Sequence, residues 1–179
     1  SLNRSETYVM TIKIMNLSER LGTLLVARNA TVTTAESCTG GGVASAITDV
    51  AGSSKWFHTG FITYANHSKH QILGVSGDLL ASRGAVCEEV VIAMVEGAAR
   101  TAKADFAVAI SGIAGPTGGS AGKPIGTVWF AWLGPQGVKT KKHLLTGDRA
   151  MVRAQSIEIS LQEMLHHIEE CTTVHPYSK

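Results

Sequence analysis

The chain has 179 residues, 44% of them apolar, which is enough to bury one core without disulfides or metal. With 16 Lys+Arg against 14 Asp+Glu the formal charge is +2 and no basic block appears, which argues against a general nucleic-acid groove. Apolar runs such as 127–133 are strand-sized, too short for a membrane helix, and the three cysteines, Cys38, Cys87 and Cys171, are widely spaced without a Cys-x-x-Cys pair, so a reducing, cytoplasmic setting is expected.

The polar opening lacks the apolar core of a signal peptide, and residues 1–14 read as a flexible lead outside the fold. Over 17–28, Leu17, Leu21, Leu24 and Leu25 recur at helical spacing, with Asn16 and Glu19 as a capping box. Residues 30–35 are β-branched and short, and run into Glu36-Ser37-Cys38-Thr39-Gly40-Gly41-Gly42 before a small-residue helix over 43–50. A strand near 57–64 and a short helix near 67–73 follow, punctuated by glycines. Residues 88–103 place Val91, Met94, Val95, Ala98 and Ala102 on one helical face, with acidic residues in the first turn.

The apolar run 105–110 predicts a buried strand that empties into Ser111-Gly112-Ile113-Ala114-Gly115-Pro116. Strands over 125–133 and 138–145 flank Gly134-Pro135-Gln136-Gly137 and form a hairpin, and a last helix over 149–169 turns Ile157, Leu161, Leu165 and Ile168 inward. Strands separated by helices early and a hairpin late predict a single-domain three-layer α/β/α sandwich with a mixed sheet, over 15–170, with 171–179 as a C-terminal tail.

Two loops, 36–42 and 111–119, each leave a strand carrying hydroxyls and glycines, the arrangement that lets backbone N–H groups approach an anion or an oxyanion. Common motifs fail. Thr117 and Pro124 break a P-loop around Gly122-Lys123, Ser45 breaks a dinucleotide fingerprint after Gly40-x-Gly42, and no serine sits in a Gly-x-Ser-x-Gly elbow. Ser120-x-x-Lys123 lies in a glycine loop, not on a helix that would orient both side chains. His67-x-x-His70 and His166-His167 lack a neighbouring third ligand, so neither a metal nor any other cofactor is expected.

Ser37 beside Glu36, Tyr64 and Lys69 after the next strand, and Arg149 opening the last helix remain as chemistry-bearing residues. Around them the runs Ala35-Glu36-Ser37-Cys38-Thr39-Gly40-Gly41, Thr63-Tyr64-Ala65-Asn66 with Lys69, Ser111-Gly112-Ile113-Ala114-Gly115-Pro116, Lys123-Pro124-Ile125-Gly126-Thr127-Val128-Trp129 and Gly147-Asp148-Arg149 resemble the CinA C-terminal domain family. The resemblance spans about residues 17–168; Ala65 and Cys87 stand where the family often has Ser, and Ser111 where it often has Thr. It implies hydrolysis of the carboxamide of nicotinamide mononucleotide to nicotinic acid mononucleotide and ammonia, a step of pyridine nucleotide salvage.

The resemblance also implies Ser37 as nucleophile, with Lys69 and Tyr64 handling protons. A lysine of ordinary pKa is neutral at pH 7 only to about 0.04%, an availability cost of roughly 4.6 kcal/mol, so Lys69 must be desolvated or lie beside another cation. Arg149 is one candidate for that charge and equally a candidate for the substrate phosphate. Backbone N–H groups around Cys38, Thr39 and Gly40, with Gly41 behind them, are the expected oxyanion donors, and Ser111 and Gly112 complete the wall. Cys38 is the rival nucleophile, since a helix N-terminus lowers a thiol pKa. The competing expectation is a non-catalytic nucleotide-binding or partner module. Either way the partner is a small nucleotide, with no nucleic acid or membrane, and a homo-oligomer is expected from the apolar strands.

Overall fold

The structure, a computed structural model, describes residues 1–171; the expected tail beyond Cys171 lies outside the described residues. Six helices and five strands follow in the order α1 (Arg4–Arg28), β1 (Val32–Glu36), α2 (Gly42–Thr48), β2 (Phe61–Ile62), α3 (Asn66–Leu73), α4 (Gly77–Arg83), α5 (Glu88–Ala102), β3 (Phe106–Gly112), β4 (Thr127–Gly134), β5 (Gly137–Leu144) and α6 (Arg149–Glu170). The sheet order is β2-β1-β3-β4-β5. β2, β1 and β3 run parallel, whereas β4 and β5 form the antiparallel hairpin.

Alternation along the central strands builds two unlike faces. Val108, Ile110, Val128, Phe130 and Trp132 point to α1, α2 and α6, where Leu21, Leu25, Leu161 and Leu165 complete a bulky core. Ala107, Ala109, Ala131 and Ala35 point the other way, and these short side chains admit α5 with Val91, Met94, Val95 and Ala98. This is the three-layer α/β/α arrangement with a mixed sheet. Gly97 lets α5 touch α3, because a Cβ there would overlap the Leu73 carbonyl oxygen. β5 closes one edge with Lys139, Lys141 and Lys142, a charged edge that discourages further strand pairing.

Several boundaries differ from the sequence reading. α1 starts at Arg4, so most of the segment expected as a lead is helical; its capping box is Asn3 with Glu6, and Asn16 and Glu19 lie mid-helix. The strand expected over 57–64 shrinks to two residues, because the Thr63 and Tyr64 carbonyls leave the ladder for Lys69. α4 was not expected; Ser76 caps it by accepting from the Leu79 N–H at 3.2 Å. Cys87 stands at the N-cap of α5 and makes no side-chain cap bond, in keeping with the weaker capping ability of a thiol. No helix among the described residues is long and apolar enough to cross a membrane.

Candidate active site

Ligands of parallel sheets gather beyond the carboxyl ends of the strands. There β1 delivers Ser37, β2 delivers Tyr64, and β3 ends on Ser111 and Gly112. Together with Cys38, Asn66, Lys69, Ala85, Val86, Ala114 and Arg149 they line a polar cleft of about 210 Å³. Lys69 comes from α3, the helix that Gly97 allows to pack tightly against α5.

Ser37 and Lys69, 32 residues apart in sequence, meet there: Lys69 Nζ lies 2.9 Å from Ser37 Oγ. The same nitrogen donates to the Thr63 carbonyl at 2.8 Å and to the Tyr64 carbonyl at 3.1 Å. Lys69 is only 1% exposed, and it forms no ion pair among the described residues. Burial without a counter-charge disfavours the ammonium, and it lowers the Lys69 pKa to about 8. The neutral amine therefore costs about 1 kcal/mol at pH 7 instead of about 5.

Ser37 opens a tight turn without capping it. Its Oγ faces Lys69, and the Gly40 N–H donates to the Ser37 carbonyl at 3.0 Å. The fully buried Glu36 caps α2 instead, accepting from the Val43 N–H at 2.8 Å and the Ala44 N–H at 3.1 Å. Gly41 connects turn to helix at φ +96°, a left-handed conformation that favours glycine. Neither the Cys38 nor the Thr39 N–H donates to a backbone carbonyl among the described residues. The Gly40 N–H is engaged and drops out of the expected oxyanion donors.

Other expected residues sit differently. Tyr64 is 60% exposed, and its hydroxyl accepts from Arg149 Nη2 at 3.1 Å. The group Tyr64 offers Lys69 is its main-chain carbonyl. Arg149 also donates from Nη1 to the Gly115 carbonyl at 2.9 Å, and burial, not this guanidinium, lowers the Lys69 pKa. Burial pushes the Cys38 thiol up to about 11, which removes the thiolate that a rival nucleophile would need. Ser111 is buried in the β3–β4 ladder opposite Trp129, and the buried Thr39 hydroxyl has no partner among the described residues.

Sequence reasoning did not name Asn66, Ala85, Val86 or Ala114 as wall residues; Asn66 ends the Thr63-Tyr64-Ala65-Asn66 run and carried the best available signal. It also passed over Arg153, four residues after Arg149 on α6, which donates from Nε to the Cys38 carbonyl at 3.1 Å and from Nη2 to the Thr39 carbonyl at 3.3 Å. Among the described residues no group of three or more His, Cys, Asp or Glu is placed to hold a metal ion.

Fold and cleft define an α/β/α sandwich in which a serine hydroxyl meets a buried, unpaired amine at the carboxyl edge of a mixed sheet. The CinA C-terminal domain family matches residues 14–168, and the chain belongs to that family. It is 55% identical over 153 residues to the nicotinamide-nucleotide amidohydrolase PncC of Escherichia coli (strain K12), covering 85% of this chain and 93% of that protein. The protein of the same name from Pseudomonas putida is 52% identical over 152 residues, covering 85% of this chain and 95% of its own. A crystal structure of a CinA superfamily protein from Klebsiella pneumoniae 700603 matches with a TM-score of 0.84 at 38% identity, covering 88% of this chain and 98% of that one.

Proposed function

We propose that the protein is a nicotinamide-nucleotide amidohydrolase: it hydrolyses the carboxamide of nicotinamide mononucleotide, giving nicotinic acid mononucleotide and ammonia in pyridine nucleotide salvage. The carrying observation is the 2.9 Å approach of a buried, unpaired Lys69 to Ser37 Oγ, in a chain 52% and 55% identical to two amidohydrolases of that name.

A neutral amine has two N–H donors and one lone pair. The Thr63 and Tyr64 carbonyls accept the two donors, and the lone pair faces Ser37 Oγ. Lys69 takes the hydroxyl proton as Oγ bonds to the carboxamide carbon, and the Cys38 and Thr39 N–H groups receive the oxyanion. The C–N bond then breaks, the proton passes from Lys69 to the departing nitrogen, and ammonia leaves an ester on Ser37. Water, deprotonated by Lys69, attacks that ester; the C–O bond to Ser37 breaks as Lys69 returns the proton to Oγ, and the acid is released. Arg149, steadied by Tyr64, holds the substrate phosphate, and Ser111 closes the polar wall.

The catalytic unit is residues 15–170. The enzyme works as a cytoplasmic homo-oligomer, a reading supported by the free Cys38, Cys87 and Cys171 thiols and by exposed Ile62, Tyr64 and Leu144 near the sheet edges. Ammonia release from nicotinamide mononucleotide by wild type and by Ser37→Ala tests the function, with free nicotinamide as control. Wild type releases ammonia, Ser37→Ala loses a factor of about 10³ or more, and free nicotinamide is a poor substrate. A wild type that binds the nucleotide but leaves it intact is a binding module instead.

A further inference from the structure

The turn after Ser37 has a cation behind it. Arg153 holds the Cys38 and Thr39 carbonyls from α6, lies outside the cleft lining, and pairs with no carboxylate among the described residues. Peptide units are planar and trans, so each carbonyl points opposite to the N–H that follows it. Drawing the Cys38 carbonyl toward α6 therefore aims the Thr39 N–H away from α6. The Gly40 N–H bond to the Ser37 carbonyl closes a helical turn, which sets the Cys38 N–H parallel to that of Thr39. Donors at the start of such a turn point back toward its first residue, here Ser37.

Charge acts in the same direction. The Glu36 carboxylate is buried next to this turn and is committed to Val43 and Ala44. Its field opposes negative charge building up on a substrate oxygen, and a guanidinium on the Cys38 and Thr39 carbonyls offsets it while polarising both peptide units. Glycine at 40 fits this turn because its φ is +58°, in the left-handed region.

We propose that Arg153 is a positioning residue for the amide hydrolysis: it fixes and polarises the Cys38–Thr39 peptide unit, which carries the Thr39 N–H, and, through the Thr39–Gly40 unit and its N–H bond to the Ser37 carbonyl, the Ser37–Cys38 unit, so that the Cys38 and Thr39 N–H groups meet the oxyanion. The assignment rests on the amidohydrolase reading above. It acts on the transition state and leaves ground-state binding alone, so its signature lies in kcat.

The test is ammonia release from nicotinamide mononucleotide by wild type, Arg153→Met and Arg153→Lys, with thermal melting of each. Arg153→Met lowers kcat by about 10- to 100-fold, with KM within about threefold of wild type, and Arg153→Lys recovers part of the loss. Wild-type kcat in a folded Arg153→Met, or a loss carried by KM, overturns the assignment while the amidohydrolase reading stands. If Arg153→Met does not fold, Arg153→Lys decides: a reduced kcat at unchanged KM supports the role, and a wild-type kcat overturns it. Loss of fold in both variants makes Arg153 a fold residue and also overturns it. A wild type that releases no ammonia removes the amidohydrolase reading and this assignment together.

Discussion

Lys69 is the residue whose protonation the mechanism turns on, and pH is the gentlest way to perturb it. Its folded pKa of about 8 leaves about 9% of the amine neutral at pH 7 and about 91% at pH 9. If only the neutral amine accepts the Ser37 proton, kcat/KM rises about tenfold between those values and levels off above them. The limb belongs to the free enzyme, and its midpoint falls near pH 8, more than two units below an ordinary lysine. Initial rates of ammonia release from pH 6 to 10 measure it, with Lys69→Met alongside. That variant keeps the cleft volume, loses the base, and falls by a factor of about 10² to 10⁴. A profile flat from pH 6.5 to 9, or a Lys69→Met within tenfold of wild type, refutes the reasoning.

Three further outcomes follow from the same geometry. The unfolded chain binds a proton at Lys69 more tightly than the folded one, so between about pH 8 and 10 stability rises with pH, by up to about 3 kcal/mol in total, and below pH 8 this group adds no slope; urea unfolding across that window shows the rise in wild type and not in Lys69→Met. Cys38, a protonated thiol at pH 7, resists iodoacetamide, and Cys38→Ala keeps most of its kcat; a loss matching that of Ser37→Ala restores the thiol as a rival. Gly97→Ala drives a Cβ into the Leu73 carbonyl at the end of the helix that carries Lys69, costs about 1–3 kcal/mol of stability, and lowers kcat; a wild-type melting temperature contradicts the tight α3–α5 packing.

What the sequence made legible was local or periodic. Continuous apolar runs in Phe106–Gly112 and Thr127–Gly134 report strands covered on both faces, and the glycine-rich segments after β1 and β3 report where the chain must turn sharply. Short elements without a repeat were harder: α4 has seven residues, and β2 has two because main-chain groups beside it serve a side chain from another helix. The site followed the same division. Family resemblance singled out Ser37 and Lys69, but Asn66-His67-Ser68-Lys69-His70 reads as a solvated helix face, and Lys69 is buried in the fold with Nζ on Ser37 and the Thr63 and Tyr64 carbonyls. The bond from Lys69 to the Tyr64 carbonyl and the reach of Arg153 across to the Cys38 turn arise from tertiary packing that no local spacing encodes.

A covalent bond between Ser37 Oγ and the carboxamide carbon is the central step of the proposed hydrolysis. Rapid acid quench of wild type turning over nicotinamide mononucleotide, followed by proteolysis and mass analysis, finds the acyl group on the peptide carrying Ser37, and hydroxylamine diverts it to the hydroxamate. Turnover by Ser37→Ala at the wild-type rate, or an active wild type whose Ser37 peptide never carries the acyl mass and whose product is never diverted, contradicts it.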